Sequence, residues 1–279
     1  MTLGATTMSA NHHLSAASPA LVMLGRAGYA AKGVVYVVMG VLAARAAMGA
    51  GGKATDSRGA LHAIGDGPFG TAAVALIGVG LLGYMMWRLV AAATDAEGKG
   101  NEPTSLVMRA AQAARGLAYG ALGVQALRLL VARGSAESHA ARDWTARLLG
   151  LPFGRAIVAA LGLGVLGYAG YQLYRAAQDK AGKHLGLAEA GREQAKWIVR
   201  LGRFGTAARA VVFAMIGVFL MRAAMQRDSG EAGGIAQSLR ALASGDYGAL
   251  VLGAVAFGLM AYGVFQLATA RYRYMRAVG

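Results

Sequence analysis

The stretch GRAGYAAKGVVYVVMG, residues 25–40, sets Arg26 and Lys32 ahead of an apolar run broken only by Tyr36 and by glycine. The pattern returns as MRAAQAARGLAYGALG at 108–123 and as GRFGTAARAVVFAMIG at 202–217. Lys32-Gly33, Tyr36, Gly40 and Arg45 align with Arg115-Gly116, Tyr119, Gly123 and Arg128. In the third copy they align with Arg209-Ala210, Phe213, Gly217 and Arg222. Recurrence at fixed spacing is the mark of one supersecondary unit used several times.

Working outward, each opening stretch leads through a polar segment to Pro68-Phe69-Gly70, Pro152-Phe153-Gly154 or Asp246-Tyr247-Gly248. A second apolar run follows. Its markers are Gly80, Gly83-Tyr84 and Trp87-Arg88, then Gly164, Gly167-Tyr168 and Tyr171-Gln172, then Gly258, Ala261-Tyr262 and Phe265-Gln266. Residues 156–174 are 19 positions without a charge, residues 247–270 are 24, and residues 69–93 are 25 interrupted only by Arg88. A bilayer core of about 30 Å takes about 20 helical residues, so these runs read as membrane spans. Frequent glycine suits helices in lipid.

The first run of each unit is shorter: 12 uncharged residues lie between Lys32 and Arg45, and as many between Arg115 and Arg128 and between Arg209 and Arg222. The expectation is that these also span, with the flanking cations snorkelling outward at both ends. The second span of each unit then requires the chain to cross back. The fold expected is all-α and integral to a membrane, with six transmembrane helices as three tandem two-helix repeats in a quasi-threefold arrangement. Its divisions are a polar N-terminal tail (1–22), repeat 1 (23–95), a cytoplasmic linker (96–107), repeat 2 (108–178), a basic cytoplasmic linker (179–197), repeat 3 (198–270) and a basic tail (271–279).

Of the 28 Lys and Arg, 17 fall in the N-terminus, the two linkers, the tail and the adjoining helix ends, and 11 in the loops within repeats. The positive-inside bias puts both termini in the cytoplasm. The net charge of +15 is thereby topological and lipid-directed. Nucleic acid is excluded as a partner because no soluble basic-aromatic domain carries the charge. The first 20 residues hold no Lys or Arg, so no cleavable signal peptide is expected.

Cysteine is absent, which removes disulfides and thiolate chemistry. The histidines (His12, His13, His62, His139, His184) all lie outside the expected spans. GVGLLG at 78–83 and GLGVLG at 162–167 match a dinucleotide fingerprint in letters. That motif needs a strand before it and a helix after it, whereas both copies sit inside apolar runs. Gly80, Gly83, Gly164, Gly167 and Gly258 read instead as helix-packing positions. Neither paired carboxylates nor an activated nucleophile is present. No enzyme activity, cofactor or metal is expected.

Two sets of residues remain as candidates. The repeat signature is Arg26, Lys32 and Tyr36, then Arg109, Arg115 and Tyr119, then Arg203, Arg209 and Phe213. The second set is Arg88, Gln172 and Gln266 with Tyr84, Tyr168 and Tyr262, a lumen lining or a lipid contact. The plain reading of the aromatics is a belt at the membrane interface; the alternative is an inward-facing ring. Short amphipathic helices are expected between the spans, one capped by Thr55-Asp56 and carrying Leu61 and Ile64. Leu239 and Leu242 align with that pair, and Trp144 and Leu148 hold similar places. These helices should rest on the outer interface.

Arg26, Lys32, Gly33, Tyr36, Gly40, Pro68, Phe69, Gly70, Tyr84 and Arg88 together resemble the bacterial membrane family known as domain of unknown function 1206. The resemblance runs from about residue 23 to 272, with departures at Gln172, Gln266 and Asp246-Tyr247. It implies a six-helix integral membrane protein of the bacterial inner membrane and supplies no activity. The expected role is a structural or accessory component that binds anionic lipid headgroups, a membrane protein partner or a second copy. The alternative is a small anion-preferring channel or carrier.

Overall fold

The computed structural model describes residues 19–51, 53–95, 100, 102–131, 140–178 and 191–272. Every repeat consists of a long helix, a short helix and a second long helix. Repeat 1 contains α1 (Pro19–Ala47), α2 (Ser57–Gly65) and α3 (Gly70–Ala93). Repeat 2 contains α4 (Pro103–Val131), α5 (Ala140–Leu149) and α6 (Gly154–Ala177). Repeat 3 contains α7 (Arg192–Gln226), α8 (Ile235–Ala243) and α9 (Gly248–Tyr272). No strand occurs among the described residues. Five of the long helices are long and apolar enough to cross a membrane: α1, α3, α6, α7 and α9. This is the makeup of a multi-pass membrane protein. The remaining long helix, α4, carries Arg109, Arg115 and Arg128.

Two helices begin earlier than the apolar runs suggest. Pro103 opens α4 inside the expected linker, where its missing N–H is no loss and its fixed φ favours the first turn. The basic linker likewise gives its last residues to α7, whose 35 residues span roughly 52 Å, well beyond a bilayer core.

The contacts run in the order α4, α3, α1, α9, α7, α6, with α1 at the centre between α3 and α9. The crossings that join one repeat to the next use equivalent residues. Gly123 meets Gly78, Gly217 meets Gly162, and Gly40 meets Ala256. A Cβ at Gly123 would stand 2.9 Å from the Gly78 carbonyl oxygen, so bare backbone is required there. Within repeats, α1 packs on α3 and α7 on α9, but α4 and α6 share no comparable interface. Only 22% of the apolar window of α6 is buried, against 56% for α1. The row of helices is open on that side.

The short helices differ from expectation. Asp56 caps α2 by accepting from the backbone N–H groups of Arg58 and Gly59. Yet Leu61 is fully buried against Val35, Met39 and Val74 rather than lying on an interface, and Leu239 is equally buried in α8. An amphipathic helix buries its apolar face against whatever is nearest, and here that is the end of the bundle. Trp144 on α5 is exposed. The glycines after Pro-Phe and Asp-Tyr make these turns possible. A Cβ at Gly70, Gly154 or Gly248 would collide with a carbonyl of the preceding short helix. The turns leave Phe69, Phe153 and Tyr247 strongly exposed, suited to an interfacial position.

Candidate functional site: a cluster of cations and tyrosines

The two basic residues of each opening stretch have different duties. Arg109 on α4 donates to the carbonyls of Ala92 (2.6 Å) and Ala93 (2.8 Å) at the end of α3. Arg203 on α7 does the same for Ala176 (2.8 Å) and Ala177 (3.4 Å) at the end of α6. The last carbonyls of a helix lack intrahelical partners and carry its negative dipole end, so a guanidinium clamps the second helix of one repeat to the first helix of the next. Arg26, aligned with both, is exposed.

Six residues further on lies the second basic position, and here the snorkelling expectation fails. Lys32 is 5% exposed and Arg209 9%. Lys32 Nζ stands 4.6 Å from the ring centre of Tyr119, 5.4 Å from Tyr262 and 5.5 Å from Tyr84. These rings come from repeats 2, 3 and 1. The Arg209 guanidinium lies 4.4 Å from the Tyr262 ring, 5.3 Å from Phe213 and 5.5 Å from Tyr36. The rings touch edge to face, as Tyr36–Tyr262, Tyr84–Tyr119 and Tyr168–Phe213 pairs, and the Tyr36 and Tyr119 hydroxyls are 3.2 Å apart. Ring quadrupoles supply the negative surface that the cations need where water is scarce. No carboxylate lies in the described long helices beyond Glu193 at the start of α7. The belt reading is thereby corrected for Tyr36, Tyr84, Tyr262 and Trp87, all buried inside the bundle; Tyr171 is exposed.

Arg88, Gln172 and Gln266 are each buried, but in different interfaces. Arg88 donates to the hydroxyls of Tyr84 and Tyr29, both at 2.9 Å, and its Cβ lies under Gly116 of α4. It belongs to the seam between α1, α3 and α4. The Gln172 amide nitrogen and the Arg209 Nε are buried without a hydrogen-bond partner.

The packing role assigned to the glycines holds for some and not for others. Gly80 faces Ala27 and Ala31, Gly83 faces Leu24, and Gly258 faces Ala208. Gly164 and Gly167 are corrected: a Cβ at either would meet nothing within 4 Å, because α4 stands away from α6. Across that gap the exposed Arg115 lies 5.5 Å from the Tyr168 ring.

At the opposite end, a cleft of about 900 Å³ opens between the three short helices. Its charged lining mixes signs, with Lys53, Arg142, Arg222 and Arg240 beside Asp56, Asp66 and Glu231. It therefore favours no one ligand charge.

The sequence repeats flag the cluster, but the sharing of one ring set between two cations was not legible from them. The available signal was the coincidence of a cation, an aromatic four residues later and a tyrosine in the partner helix. The family model described as Domain of Unknown Function (DUF1206) matches residues 27–95, 110–179 and 204–273. The chain is also 32% identical over 257 residues to a protein of Bacillus subtilis (strain 168) described as "Uncharacterized protein YxxB", covering 92% of this chain and 93% of that one. No solved structure matches. Three matches that coincide with the three helical repeats establish that the chain belongs to the DUF1206 family.

Proposed function

We propose that the protein is a six-span component of the bacterial inner membrane, with both termini in the cytoplasm, which binds anionic lipid and catalyses no reaction. In this reading α4 crosses with the other five long helices, and the three repeats form a quasi-threefold ring that is open between α4 and α6. The equivalent glycine crossings between repeats support that arrangement. The observation that carries the function is the buried cluster of Lys32 and Arg209 among four tyrosines and one phenylalanine. Rings and cations fill the positions where the repeats converge, which favours a packed core over a conducting path. Without carboxylates, the interior and the basic linkers both add positive potential on the cytoplasmic side, and this attracts anionic headgroups.

The test compares thermal unfolding of the purified chain in nanodiscs of phosphatidylcholine and of phosphatidylglycerol. A higher midpoint in phosphatidylglycerol, shrinking as salt is raised, is expected from screened attraction. Equal midpoints together with chloride flux in proteoliposomes would replace this reading with the channel.

A further inference from the structure

The missing α4–α6 interface coincides with a change at one residue. Gly28 and Gly205 let the first helix of repeats 1 and 3 close onto the second. A Cβ at Gly28 would collide with Tyr84, and one at Gly205 with Tyr262. The aligned residue of repeat 2 is Ala111. Ala111 is exposed, and repeat 2 has no glycine at the position where repeats 1 and 3 close. Between α4 and α6 the repeat leaves a slot. One wall is the bare backbone of Gly164 and Gly167, beside which a Cβ meets nothing. The other wall carries Arg115, aligned with the buried Lys32 and Arg209 but itself exposed.

We propose that this slot is a binding site for one anionic phospholipid, with its acyl chain along the glycines of α6 and its phosphate on Arg115. The inference rests on the lipid-binding reading above and names the place. Charge decides the occupant. Arg115 has one ring beside it, Tyr168, where Lys32 and Arg209 have three each, and its exposed guanidinium is left for an anion or water. A second copy of this chain would bring only a second Arg115, since the described long helices carry no carboxylate beyond Glu193. A phospholipid supplies both the anion and the apolar chain. Depth agrees. Arg109 marks the end of α3 by its bonds to Ala92 and Ala93, and Arg115 lies six residues, roughly 9 Å, further in. Helical side chains tilt toward the N-terminus, here toward that end, and a guanidinium stem is long enough to meet a phosphate at the headgroup boundary.

The full chain is purified from membranes containing both phosphatidylethanolamine and phosphatidylglycerol, and its retained lipids are counted by native mass spectrometry. The wild type is expected to retain phosphatidylglycerol in preference. Arg115→Gln should lower that occupancy roughly tenfold, the loss of a charge-assisted contact. Gly167→Leu should lower it by filling the slot, with no fall in the unfolding midpoint. Arg45→Gln, exposed at the opposite end of α1, should retain lipid as the wild type does. If the wild type prefers phosphatidylglycerol and both slot variants retain it undiminished, the slot is refuted while the lipid reading stands. If the wild type shows no preference, both fall. A protein helix copurifying in place of lipid, and lost in Arg115→Gln, also overturns the proposal.

Discussion

At Gly28 and Gly205 two helices come so near each other that an added methyl group would collide with the facing helix. Gly28→Ala and Gly205→Ala should each destabilise the protein by about 1–3 kcal/mol, the usual effect of overpacking. Gly167→Ala, where the added carbon meets nothing, should be neutral or stabilising by about 0.5–1 kcal/mol through helix propensity. Thermal unfolding in detergent checks all three, and a Gly28→Ala variant as stable as the wild type would remove the close approach from the account. Glycine spacing was readable in the sequence, but which glycines touch a neighbour was not. Gly80 and Gly164 occupy the same register, and only the first has a helix opposite it. Lys32 misleads for a related reason. A cation beside an apolar run looks like an interfacial anchor until the rings that could enclose it, Tyr119 and Tyr262, are known to come from other repeats.

The elements are joined through their ends. Arg109 and Arg203 turn the C-termini of α3 and α6 into docking points for the following repeat. Arg109→Ala and Arg203→Ala are each expected to destabilise by about 1 kcal/mol, below the full value of charged hydrogen bonds because the clamps are partly solvated. The two losses should add, since the sites lie in separate interfaces. Unfolding of the single and double variants measures this, and a double variant no worse than either single would show that the clamps are not independent. Helix existence was legible throughout from apolar run length and the repeat alignment. The docking of α2 and α8 was not, because an amphipathic helix shows one and the same apolar face whether it meets lipid or protein. Leu61 and Leu239 carry no mark that tells the two apart.

For the whole molecule, repetition gave the clearest message, and the structure departs from the repetition at repeat 2. Three equivalent inter-repeat crossings bind the helices into one row, while the row stays open at repeat 2, where α4 and α6 do not pack together. That opening was not legible in the sequence, because the apolar runs of repeat 2 carry the same repeat markers whether or not their helices meet. The central claim is that α4 crosses the membrane despite its three arginines, giving six spans. The natural absence of cysteine allows the direct test: single cysteines at Ala50, Thr94, Leu151, Gly191 and Gly230, probed in intact cells with a membrane-impermeant maleimide. The account predicts labelling at Ala50, Leu151 and Gly230 and protection at Thr94 and Gly191. Labelling at Ala50 with protection at Leu151 would mean that α4 does not cross, and would contradict it.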